Sequence, residues 1–227
     1  MINSNGHNGW RTQAMYRISE AAHLANVSAS TVRNWILGSS AGQRQVEPLF
    51  KQQDLQSQMV SFLQLIEIVV AANFRRTEHV SFQTVRSAYE NARKLYHLDY
   101  PFAHLQLEAL GGHIVHLLHK ERFGTSLQAL DQPEQWTLPG LVLEVIHRLD
   151  YESELAARWY PVGKEIPIVV DPRISAGLPV VSGRGVTVAV IYKRFMAGQK
   201  IDFIAQDFEL KSDTVEEVVR YAEKVAA

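Results

Sequence analysis

Residues 16–38 constrain the fold more than any other stretch: Tyr-Arg-Ile-Ser-Glu-Ala-Ala-His-Leu-Ala-Asn-Val-Ser-Ala-Ser-Thr-Val-Arg-Asn-Trp-Ile-Leu-Gly. Ile18, Ala21, Ala22 and Leu24 fall on one face of a first short helix, with Ser19 near its start as a cap. A second helix begins at Ser28, whose hydroxyl can accept a hydrogen bond from the N–H near Thr31. It runs through Val32, Trp35 and Ile36 and stops at Gly38. Ala25, Asn26 and Val27 between them have the length of a tight turn, with Val27 plugging the corner. The face left exposed on the second helix carries Ser30, Thr31, Arg33 and Asn34. Hydroxyl, guanidinium and amide groups there suit phosphate oxygens and base edges in a major groove. The pattern therefore reads as a helix-turn-helix, with Arg17, Ser28, Ser30, Thr31, Arg33 and Asn34 as candidate DNA contacts. Two short amphipathic helices also occur in many ordinary cores. The small alanines at the close-contact positions, the capped second helix and the acid-free polar face favour DNA.

Composition limits how such a contact could work. The chain has 227 residues, 46% hydrophobic and 21% charged, which suits a soluble globular protein with two or three small domains. A formal net charge of -1 gives no global field toward nucleic acid, so a DNA contact has to be local. The absence of cysteine excludes disulfides, thiolate metal sites and a cysteine nucleophile, and it suits a reducing interior. Residues 1–14 read as a flexible polar tail without the apolar stretch of a secretory signal. The most apolar stretch, Phe62 to Ala72, contains Glu67 and falls short of the about 20 residues needed to cross a bilayer. A cytoplasmic location without membrane attachment is expected.

The predicted fold class is mainly α with small β elements. Helix-turn-helix modules stand in tandem at the two ends, joined by a helical and hairpin middle region. The expected divisions are a helix-turn-helix over 15–50, a middle region over 51–122, a connector over 123–160 and a C-terminal three-helix unit over 161–227. Within the middle region, Met59, Phe62, Leu63, Ile66, Val69 and Val70 predict a long helix over Leu55 to Arg76. Its apolar face is the expected homodimer seam. Ser81 caps a second helix over Phe82 to Leu95 with Val85, Ala88, Tyr89 and Ala92 inward. Arg75, Arg76, Arg86, Arg93 and Lys94 make this pair basic, and Arg75, Arg76 and Arg86 are candidate phosphate contacts, although a basic run is ordinarily a solvated face. From Phe102 the alternation around Gly111-Gly112 predicts two short strands. His113, His116 and His119 raise a metal site, but on a strand residues three apart point to opposite faces and no carboxylate stands at ligand spacing. No metal or cofactor is expected.

Leu141 to Leu149 is a short predicted helix, and Ile166 to Val170 a strand laid against the C-terminal unit. Asp171 to Val188 is dense in glycine and proline and demands a fixed, turning backbone. Three helices follow, over Val188 to Met196, Ile201 to Phe208, and from a cap at Ser212 or Asp213 to about Val225. From Ile201 onward seven acids stand against three bases. Such a surface repels a phosphate backbone, so this bundle is expected to hold a protein partner or a second copy of the chain.

The stretch Ile174-Ser175-Ala176-Gly177-Leu178-Pro179-Val180-Val181, with Gly183, Val186, Val188, Ala197-Gly198, Ile204-Ala205, Phe208 and Val218 to Tyr221, resembles the small C-terminal domain of bacterial VapB-type antitoxins whose genes neighbour PIN-like toxins. Ser61 to Glu67, Arg75-Arg76, Val80-Ser81, Val85-Arg86 and Ala92 are similar to the helical middle of the longer members, and Leu155 to Pro161 to their connector. The first helix pair alone resembles many MerR-like regulators. Arg184 stands where the family usually has threonine, and Thr187 where it has proline. The resemblance implies an antitoxin that represses its own operon and blocks a PIN-like ribonuclease whose carboxylates hold Mg²⁺ or Mn²⁺. Arg158, Arg173 and Arg184 are candidates, by loop position, for reaching that acidic centre.

The expected function is thus an antitoxin acting as a dimeric repressor, binding operator DNA and a toxin. The alternative is a stand-alone transcriptional regulator without a toxin. An enzyme is not expected: no Ser-His-Asp order with a nucleophile turn, phosphate-cradling glycine loop or metal-ligand spacing occurs, and Gly183-Arg184-Gly185 lacks the further glycine of a dinucleotide site.

Overall fold

The computed structural model describes residues 9–41, 44–50, 59–77, 81–104 and 140–226. The fold is mainly α with small β elements, four antiparallel sheets of two strands each among the described residues. A single turn, α1 (Gly9–Thr12), leads into β1 (Tyr16–Arg17), α2 (Ile18–Ala25) and α3 (Ala29–Leu37). The start of α2 is not capped by Ser19, which lies inside the helix. The Glu20 carboxylate instead accepts the Arg17 N–H at 2.7 Å. Asn26 takes the left-handed conformation that reverses the chain, and its N–H reaches the His23 carbonyl.

After α3 comes a hairpin, β2 (Ser39–Ala41) with β3 (Arg44–Val46). Gly38 makes it possible: at φ +76 its missing Cβ leaves room for the Val46 carbonyl, which an added carbon would meet at 2.4 Å. Strand β4 (Met59–Val60) pairs with β1, so the predicted long helix begins later than Leu55. It is α4 (Phe62–Thr77), started by a reciprocal cap. The Gln64 N–H donates to Ser61 Oγ at 3.3 Å and the Ser61 N–H to Gln64 Oε1 at 2.8 Å.

Every residue of α4 from Phe62 to Ala72 is buried. A helix apolar nearly all round belongs in a core, and α4 is flanked by α1, α2, α5 (Phe82–Tyr96), α6 (Gly140–His147) and β6 (Leu155–Trp159). The face expected to form a dimer seam is therefore covered by the chain itself. Residues 140–160 are likewise not a connector. Val145, Ile146, Leu149, Ala156 and Trp159, from α6, β5 (Leu149–Glu152) and β6, complete the same core as α2 and α3. The predicted hairpin around Gly111-Gly112, His113, His116 and His119 lie outside the described residues.

Among the described residues, one acid sits in this core. Glu67 is 1% exposed, accepting the Tyr89 hydroxyl at 3.0 Å and the Phe102 N–H at 3.4 Å. Burial raises its carboxyl well above the usual carboxylate range, against the opposing pull of those two donors. A carboxyl with a raised folded-state pKa contributes stability that is full below its unfolded value, about 4.3, and lost as pH rises through the folded one. Denaturant unfolding from mildly acidic to neutral pH is expected to show that decline in the parent protein and a flatter profile in Glu67→Gln. Parallel profiles would mean that Glu67 does not set the dependence.

A second core joins β7 (Ile168–Val169), β8 (Val180–Val181), α7 (Val188–Met196), α8 (Ile201–Asp207) and α9 (Ser212–Ala226) through Val181, Ile191, Ile204, Val215, Val218 and Tyr221. Thr187 caps α7, accepting the Val190 N–H at 3.3 Å. Ser212, expected as a cap, is the first residue of α9 and donates its hydroxyl to Asp202 at 2.6 Å.

Candidate nucleic-acid interface

Helix α3 is fixed from behind by aromatic packing. Trp35 is stacked on Phe82 at 6.3 Å and meets Phe50 edge-on at 6.2 Å. The Trp35 carbonyl accepts the N–H groups of Leu49 and Phe50, at 2.7 and 3.1 Å, which ties the return of the hairpin to the helix. With Val32, Trp35 and Ile36 inward, Ser30, Arg33 and Asn34 are exposed and Thr31 half-buried.

The N-terminus of α3 is a cluster of hydroxyls. Ser28 Oγ accepts the Thr31 N–H at 3.1 Å and lies 2.9 Å from Ser30 Oγ and 2.8 Å from Thr31 Oγ1. Helix α3 contains no acid. It therefore presents donors and the positive end of a helix dipole, the combination that attracts phosphate oxygens. Arg17 is exposed in β1, next to the start of α2.

The basic residues of the middle region divide. Arg75 and Arg76 are exposed at the end of α4, and Arg76 Nη2 reaches the Ala25 carbonyl, at the end of α2, at 3.5 Å. Arg86 is not open to a phosphate in the same way. Its guanidinium donates to the carbonyls of Glu47 and Pro48, the latter at 3.2 Å, pairs with Glu90 at 3.7 Å and lies over the Phe82 ring. It acts as a strut behind the hairpin. The exposed Ser40 and Gln45 of that hairpin, following α3 directly, were missed by sequence reasoning. Gly42, between two short polar runs, was the available signal.

The arginines expected to reach a partner are also mostly engaged. Asp171, 2% exposed, accepts Arg158 Nε at 3.0 Å and the N–H, Nε and Nη2 of Arg173, each at 2.9 Å. Arg173 Nη1 donates to both Glu152 oxygens at 3.1 Å. Arg158 is thus a strand residue of β6, and with Arg173 it belongs to an internal ion network, not to a free loop. Burial works against the charge on Asp171, but the bonds from Arg173 and Arg158 prevail and hold its pKa below the usual range. Trp10 packs against two guanidinium groups, Arg11 at 4.4 Å and Arg173 at 4.5 Å from its ring centre, and so ties α1 to the network. Arg184 remains exposed and pairs with Glu209 at 2.6 Å.

A helical head with a short hairpin, and a three-helix unit set against it through an ion network, is the architecture these contacts define. Residues 168–222, the second core, match the family described as Protein of unknown function (DUF433). Over 219 residues the chain is 25% identical to the uncharacterized protein Rv2308 of Mycobacterium tuberculosis, spanning 92% of this chain and 90% of that relative. The fold is shared with the crystal structure of Rv2018 from Mycobacterium tuberculosis, with a TM-score of 0.73 and 22% identity over 92% of this chain and 99% of the other. Among the described residues no helix is long and apolar enough to cross a membrane, and no group of three His, Cys, Asp or Glu side chains could hold a metal ion.

Proposed function

We propose that this chain is a DNA-binding repressor of the antitoxin kind, reading its own operator with α3 and neutralising a PIN-like ribonuclease through its C-terminal unit. The observation that carries the DNA half is the acid-free exposed face of α3, with Ser30, Arg33 and Asn34 outward and a hydroxyl cluster at its start. The paired strands β2 and β3 that follow it supply a second edge able to follow the backbone of the duplex. Two copies on a palindrome would place two α3 helices in successive major grooves, about 34 Å apart. The toxin half rests on the resemblance of Ile174–Val188 and the following helices to VapB-type antitoxins, together with the acidic balance of that unit. Arg33→Ala is expected to weaken binding to DNA from upstream of its own reading frame by about 1–3 kcal/mol and to lower the salt slope by about 1, with the melting temperature unchanged. Mobility-shift titrations at several salt concentrations read both quantities, and an unchanged slope would remove Arg33 from the interface.

A stand-alone regulator is the second reading, favoured by the engagement of Arg158 and Arg173 within the chain, which leaves neither free to enter a partner's acidic centre. Co-expression with the product of the adjacent gene separates the two. Co-purification and rescue of growth support the antitoxin, and failure of both supports the regulator.

A further inference from the structure

Where the two cores meet, a cleft of about 200 Å³ opens between the end of α2, the outer end of α4, the α6 helix, the segment after β6 and the last helix α9. Its lining is mixed: Leu24, Trp159, Val162 and Tyr221 give an apolar and aromatic part, Asn26 and Asn73 a polar one, and Arg76 and Lys224 add positive charge. Arg148 also lines it, but its charge is matched by Glu144, the cleft's carboxylate, and its Nη1 donates to the Pro161 carbonyl at 3.0 Å. Arg76 makes one long bond, to a neutral carbonyl, and Lys224 has no ion pair among the described residues. Tyr221, 6% exposed, lines the cleft, and its hydroxyl is buried with no hydrogen-bond partner among the described residues.

We propose that this cleft binds a small organic anion, a carboxylate or phosphate ester on one ring or a short aliphatic body. Apolar surface with polar groups converging on it is the ordinary make-up of a ligand site, and here the polar share is large enough to favour a charged occupant. The excess positive charge selects an anion, and a volume below the about 300–1,000 Å³ of drug-sized sites selects a small one. The neutral twin of such a ligand would leave Arg76 and Lys224 without a counter-charge and is disfavoured. Because the walls come from both cores, an occupant touches the turn that positions α3 and the final helix at once. The proposal is independent of whether α3 reads DNA.

The full-length protein would be titrated with phenylacetate, phenyl phosphate and the uncharged phenylacetamide, reading tryptophan emission, since Trp159 is in the wall, and the melting temperature. Saturable change with at least one anion, none with the amide, and at least tenfold weaker binding in Lys224→Glu is the expected result. Arg76→Gln provides the same comparison should Lys224→Glu fail to fold. The proposal is overturned if neither anion saturates, if the amide binds equally, or if the charge variants bind like the parent. The phenylacetate and phenyl phosphate arms distinguish carboxylate from phosphate.

Discussion

Gly177→Ala is expected to destabilise the protein by about 2–4 kcal/mol, through backbone strain and overpacking together. Gly177 sits at φ +73, and an added Cβ would lie 2.2 Å from Tyr16 Oη and 2.6 Å from Met15 Sδ. The Tyr16 hydroxyl also donates to the Gly177 carbonyl at 3.1 Å, so the side chain cannot withdraw without giving up that bond. Since Tyr16 belongs to the first core and Gly177 leads into the second, the substitution forces the two apart. At about 2–4 °C per kcal/mol for a chain of this size, the melting temperature should fall by about 4–16 °C. Gly185→Ala is the control, because its φ is +67 and an added Cβ meets nothing within 4 Å. It carries strain alone, so equal losses in the two variants would mean that the contact with Tyr16 contributes nothing.

Asp171→Ala is the second large effect. The lost carboxylate is buried and accepts four hydrogen bonds from Arg158 and Arg173. Breaking a fully buried pair costs about 3–5 kcal/mol. Here the arginine side chains are 40% and 34% exposed and keep Glu152, so water and that second carboxylate recover part of it. A loss of about 2–3 kcal/mol follows once that screening is discounted. The pH dependence has a definite sign. A lowered folded-state pKa means the contribution is present above the unfolded value, about 3.9, and fades as pH falls through the folded one. The difference in stability between parent and Asp171→Ala, followed by denaturant unfolding, should therefore be constant near neutrality and shrink in acid. A difference that persisted below that range would assign the loss to packing instead of charge.

The parts of this fold legible in the sequence were those with a period. Ile18, Ala21, Ala22, Val32, Trp35 and Ile36 repeat at helical spacing and are all buried, and Ser28 caps as its position suggested. The short strands were not legible. Tyr16–Arg17, Ser39–Ala41 and Met59–Val60 are too brief to alternate, and β1 finds its partner only across the intervening helices. The apolar run of α4 was visible, but an apolar face looks the same whether its own chain or a second copy covers it. The site divided along the same line. Exposure of Arg33 and Asn34 followed from the helical period, whereas the fate of Arg86, Arg158 and Arg173 depended on carbonyls and carboxylates brought from other elements, which no local pattern specifies.

The most direct measurement of the central claim is site-specific crosslinking to operator DNA from a photoreactive group placed in turn at Asn34 on α3 and Glu216 on α9, both exposed. Efficient crosslinks from position 34 and none from position 216 are the predicted result. Crosslinks from 216 with none from 34 would place the DNA against the acidic unit and contradict the account.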